Sequence, residues 1–129
     1  MLQLLSICRG LQVMNVYLEG TLWPDISQGG YDGAMHREGD GGEPPKGDIP
    51  HWTKMEDKEF EVIGHHHQGV RELGQDLHVL SKSSDGMIEA VKHKSLPWFA
   101  VQWHPERTPE GLGRALPREW LRKELQNVQ

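Results

Sequence analysis

The chain holds one cysteine, and it stands where a short apolar run gives way to a helical pattern, in Leu4-Leu5-Ser6-Ile7-Cys8-Arg9-Gly10-Leu11-Gln12. A cysteine on a strand-to-helix turn is mounted as a nucleophile would be. The small residues two positions to either side, Ser6 and Gly10, let strand and helix approach closely, as in the Gly-x-Ser-x-Gly turn of hydrolases. The N-terminus of the following helix would offer the sulfur unpaired N–H groups and a positive dipole end, which is expected to lower the thiol pKa. Taken alone, Cys8 also fits a small buried apolar residue at a strand end. A second stretch tips that balance: a thiol nucleophile needs a base, and the base needs an acceptor to orient it. Gln102-Trp103-His104-Pro105-Glu106 supplies both in His104 and Glu106. Pro105 disfavours the α conformation at His104, which predicts an extended tripeptide with both side chains on one side.

The other chemistry-bearing cluster is His65-His66-His67. On a strand only His65 and His67 share a face, zinc needs at least one further ligand, and no matching second pair follows, so no metal is expected. His36 and His51 have no partner spacing and read as solvated loop residues.

The elements that must position these groups are an apolar strand over Leu2 to Ile7, without alternation and hence suited to cover on both faces in a parallel sheet, and a helix from Arg9 to Leu18. In that helix Leu11, Met14 and Leu18 form a stripe that Val13, Val16 and Tyr17 widen, and Gly20 is the expected C-cap. Between Pro24 and Pro50, 11 of 27 residues are Gly or Pro, which predicts an irregular loop over 24–50. Strands are predicted over Phe60 to Ile63, Leu77 to Leu80, Met87 to Val91 and Phe99 to Trp103, the middle two joined by the Asp85-Gly86 turn. A polar stretch from Glu110 to Arg118 leads to a final helix over Glu119 to Val128.

A length of 129 residues suits one domain, 1–129, with one core. The balance of 14 basic to 19 acidic residues, without a basic cluster, argues against nucleic-acid binding. A lone cysteine forms no internal disulfide, and no run approaches the ~20 apolar residues of a membrane span, so a cytoplasmic setting is expected.

Ile7-Cys8-Arg9-Gly10-Leu11-Gln12, Gly20-Thr21-Leu22, His66-His67-Gln68-Gly69, Asp85-Gly86 and Val101-Gln102-Trp103-His104-Pro105-Glu106 together resemble the class I glutamine amidotransferase superfamily, most closely its gamma-glutamyl-gamma-aminobutyrate hydrolase branch. The resemblance implies an α/β fold, the C-terminal part of a flavodoxin-like amidotransferase domain with its N-terminal βα units missing. It implies a Cys8-His104-Glu106 triad acting on gamma-glutamyl amides through a thioester, the N–H of Arg9 as an oxyanion donor, and Gln12, His66, His67 and Gln68 holding substrate, with no cofactor. Ile63 and Gly64 stand where the family usually has Asn and Ser. Two other readings stay open, an inactive fragment or interaction module and a glutaminase subunit feeding a synthetase. With neighbours on one side only, the Leu2 to Ile7 strand is expected to present an open edge through which chains associate.

Overall fold

The computed structural model describes residues 3–31, 49–66 and 68–126. In chain order these form β1 (Leu4–Ile7), α1 (Arg9–Tyr17), β2 (Leu22–Trp23), a 3-10 turn (Ile26–Gly29), β3 (Ile49–Met55), β4 (Lys58–Gly64) and β5 (Gly69–Val70). There follow β6 (Leu77–Ser83), β7 (Ile88–His93), β8 (Trp98–Val101), a second 3-10 turn (Pro105–Arg107) and α2 (Leu112–Gln126). Six strands make one mixed sheet in the order β1-β8-β7-β6-β3-β4, and β2 and β5 pair as a separate ribbon. The one parallel pair among the described strands is β1 with β8, in a register that sets Ile7 beside Val101.

Each sheet face has its own core. Leu11, Met14, Val70, Leu77, Val91 and Ala100 fill the α1 side, with Leu4 packed against them. Phe60, Val62, Ala90, Phe99, Val101 and Trp103 fill the α2 side, with Leu5, Leu116 and Trp120 against them. Consecutive residues of β1 thus face two cores, as its unbroken apolar run predicts. Its backbone pairs with β8 alone among the described strands.

Helix α1 keeps the stripe of Leu11 and Met14, but Val13, Val16 and Tyr17 are exposed by 62%, 51% and 73%, because a 100° step per residue turns them to the far side. Its end is a Schellman motif in which Gly20 N–H reaches Asn15 O at 2.8 Å and Glu19 N–H reaches Val16 O at 2.9 Å. The left-handed position falls to Glu19, φ 72°, and not to the expected Gly20. Gly20 is needed for space, since a Cβ there would lie 2.5 Å from Asn15 Nδ2.

Most of the Gly/Pro loop lies outside the described residues. At its start Asp25 caps the 3-10 turn by accepting from Ser27 N–H at 3.0 Å, and Ile26 is fully buried. Its end is a strand: β3 buries His51 and Thr53 and exposes Trp52 by 54%. Polar residues point inward and the aromatic outward, so the alternation is inverted and reads as loop. His51 is therefore no solvated loop residue, for its Nε2 meets Glu89 Oε1 at 2.9 Å with both side chains buried.

Helix α2 begins at Leu112, well before the expected Glu119, and contains Pro117. Proline has no N–H to give the carbonyl four residues earlier, that of Gly113. The buried indole of Trp103 takes that place, donating from Nε1 to Gly113 O at 2.7 Å. Gly113 also lets the helix lie on β4, where an added Cβ would sit 2.8 Å from Val62 Cγ1.

Candidate active site

Cys8 joins β1 to α1 with φ 54° and ψ −105°. A non-glycine residue held there costs about 1–3 kcal/mol, which the surroundings must offset. Cys8 N–H donates to Val101 O at 2.8 Å and Cys8 O accepts from Leu11 N–H at 3.1 Å, so both ends of the turn are tied down. The small residues on either side are required by contact, for a Cβ on Gly10 would lie 2.9 Å from Ser6 Cβ. The thiol pKa departs from the expectation. Burial pushes it up, more than the Arg9 backbone N–H and the Gln102 side chain bring it down, and the nearby Glu106 carboxylate adds to the rise.

Besides the Arg9 N–H, the sulfur meets Gln102 Nε2 at 3.6 Å and the carbonyl of His65 at 3.9 Å. Gln102 is fully buried. Its Oε1 accepts from Gln12 Nε2 at 3.3 Å, and Gln12 Nε2 also donates to Gln68 O at 3.0 Å. The same Gln68 carbonyl lies 2.7 Å from His66 Nδ1, so this nitrogen carries the proton. Gln12, expected at the mouth as a substrate ligand, is buried and its amide nitrogen is engaged in this network.

His104 is delivered by the chain beyond β8. Its N–H donates to Ile63 O at 2.9 Å, and Thr108 Oγ1 donates to His104 O at 2.8 Å while accepting from Ile63 N–H at 3.2 Å. The end of β4 thereby anchors His104 through its backbone. His104 is extended at φ −102° and ψ 93°, as Pro105 predicts, although Pro105–Arg107 then closes a 3-10 turn. That turn brings Glu106 Oε2 to 3.0 Å from His104 Nδ1, with Glu106 half exposed and His104 largely covered. Among the described hydrogen bonds, none joins Cys8 Sγ to His104.

Cys8, Arg9, Gln12, His65, His66 and Gln68 line one cleft of about 190 Å3. Glu106 opens on another, beside Leu5, Ile7, Arg114 and Arg118. His67 lies outside the described residues. Sequence reasoning passed over Gln102 and the His65 carbonyl as neighbours of the sulfur. The first was within reach of the motif, since a parallel β1–β8 pair ending at Ile7 and Val101 places residue 102 next to residue 8. Among the described residues no group of three or more His, Cys, Asp or Glu is placed to hold a metal ion. No described helix is long and apolar enough to cross a membrane.

Residues 2–106 match the Peptidase C26 family. The glutamine amidotransferase-like protein YvdE of Lactococcus lactis subsp. lactis is 36% identical over 116 residues, which are 83% of this chain and 47% of that protein. The candidate glutamine amidotransferase Rv2859c of Mycobacterium tuberculosis is 39% identical over 119 residues, 84% of this chain and 36% of that protein. This chain thus spans less than half the length of these two curated relatives. Among solved structures, a candidate GMP synthase component from Thermoplasma acidophilum superposes with a TM-score of 0.66 at 19% identity, over 97% of this chain and 61% of that one. The α/β fold with its mixed sheet is that of glutamine amidotransferase structures.

Proposed function

We propose, from the premise that this chain belongs to the Peptidase C26 family, within the class I glutamine amidotransferase-like superfamily, that its site hydrolyses gamma-glutamyl amides through a Cys8-His104-Glu106 triad. The observation that carries this reading is the left-handed turn at Cys8, which sets a lone thiol at a helix N-terminus on the wall of a cleft. His104 removes the thiol proton and the sulfur attacks the gamma carbonyl. The tetrahedral oxyanion collapses to a thioester as the same proton passes to the leaving amine. Water, deprotonated by His104, then releases glutamate and restores the thiol. Glu106, 3.0 Å from His104 Nδ1, holds the imidazole in the tautomer with its other nitrogen free for the proton. The Arg9 N–H, unused within the first turn of α1, is the oxyanion donor. His66, His67 and Gln68 are the proposed substrate contacts, with Gln12 held in the amide network behind them, and gamma-glutamyl-gamma-aminobutyrate is the proposed type substrate.

The test is incubation with gamma-glutamyl p-nitroanilide, following p-nitroaniline release, with hydroxylamine added to divert the thioester to gamma-glutamyl hydroxamate. Amine release with hydroxamate formation supports the reading. Absence of both amine release and an acyl adduct on Cys8 by mass spectrometry overturns it. Efficient release of ammonia from free glutamine would instead favour a glutaminase subunit serving a synthetase.

A further inference from the structure

The orientation of two buried carboxamides can be deduced from a single carbonyl. Gln68 O is an acceptor only, so the Gln12 atom 3.0 Å from it must be the NH2 group. The same NH2 lies 3.3 Å from an end of the Gln102 amide, which must then be its oxygen. The remaining end of Gln102, 3.6 Å from Cys8 Sγ, is its NH2 group, at a contact length suited to the larger sulfur atom. The Gln102 backbone is held as well, its N–H donating to Glu89 O at 2.6 Å. With the side chain fully buried, solvent does not compete for the amide N–H that faces the sulfur.

We infer that Gln102 is a positioning residue for the nucleophile: its side-chain N–H, held in that orientation through Gln12 by the Gln68 carbonyl, donates to the Cys8 sulfur and favours the thiolate. The inference rests on Cys8 being the nucleophile. A thiol is a weak acceptor and a thiolate a strong one, so the same contact strengthens as the proton leaves. Burial opposes ionisation of Cys8, and the oriented Gln102 amide opposes burial together with the Arg9 backbone N–H. Loss of Gln12 would remove what fixes the amide, letting Gln102 turn its oxygen toward the sulfur, where it would repel the thiolate.

The experiment measures the rate of Cys8 alkylation by iodoacetamide against pH, across about pH 6 to 10. The chain has one cysteine, so the modification is site-specific without further substitutions. Native chain is compared with Gln102→Leu, Gln102→Met and Gln12→Leu, each checked for a native near-ultraviolet dichroism spectrum. The ionisation midpoint should rise by about one unit in Gln102→Leu and Gln102→Met, equivalent to about tenfold slower alkylation at neutral pH. Gln12→Leu should shift it by less in the same direction. If the Gln102 variants do not fold, Gln12→Leu decides alone. A folded variant set with the native midpoint overturns the inference. Because alkylation needs no substrate, failure of the hydrolase reading would appear as absent p-nitroaniline release with this pH shift intact.

Discussion

Replacing Trp103 by Phe should show that an indole completes helix α2. Trp103 is fully buried, and its Nε1 donates at 2.7 Å to Gly113 O, the carbonyl that Pro117 leaves without its helical donor. The carbonyl lies at a close helix–sheet contact, for at Gly113 the helix rests on β4 with no room for even a Cβ. Removing the donor strands a buried acceptor, at about 1–3 kcal/mol. The smaller ring also loosens the edge-on contact with Phe60, whose centroid lies 5.8 Å away, adding about 1 kcal/mol. A total of about 2–4 kcal/mol lowers a urea midpoint by about 1–2 M for a slope near 2 kcal/mol/M. The decisive comparison is a double-mutant cycle with Pro117→Ala, which restores an N–H to the Gly113 carbonyl. In that background Trp103→Phe should cost only the packing part, a coupling of about 1–3 kcal/mol. Equal costs in the two backgrounds would refute the reasoning, since the indole would then contribute packing alone.

If the triad operates as proposed, Cys8→Ala abolishes gamma-glutamyl hydrolysis and His104→Ala lowers it by about 10²- to 10⁴-fold. Glu106→Gln should cost less, so a larger loss than with His104→Ala would contradict its orienting role. Gly10→Ala places a methyl 2.9 Å from Ser6 Cβ and should destabilise by about 1–3 kcal/mol, with partial rescue by Ser6→Gly in thermal unfolding; native stability in Gly10→Ala would contradict the close approach. Burial holds the folded Cys8 thiol above its ordinary range of about 8.5, so the unfolded thiol ionises first as pH rises. The unfolded chain then binds fewer protons, and the thiol's contribution to stability, complete below the ordinary value, declines as pH climbs through the folded one. Urea midpoints of native and Cys8→Ala chains should therefore converge or cross with rising pH, and parallel profiles would exclude a raised thiol.

The local contacts at the candidate site residues were legible in the sequence because they depend on local order. Ser6-Ile7-Cys8-Arg9-Gly10 encodes a strand, a strained turn and a helix within a few residues, and the contact of Gly10 with Ser6 is the one its spacing requires. His104-Pro105-Glu106 likewise contains its own imidazole–carboxylate contact. Strand β3 and the start of α2 were not legible, since each breaks a local rule that a distant residue offsets. His51 is tolerated inside because Glu89 meets it from another strand, and Pro117 is tolerated because Trp103 supplies the missing hydrogen bond. Gln102 is the intermediate case, its neighbour set by strand register and its orientation by the carbonyl of Gln68, an atom common to every residue type. Side-chain type and spacing alone thus placed a thiol on a strand-to-helix turn and an imidazole beside a carboxylate. The protonation balance at the sulfur was decided by tertiary structure, because desolvation and amide orientation depend on groups brought together from β1, β8 and the turn after β4, which no local pattern records.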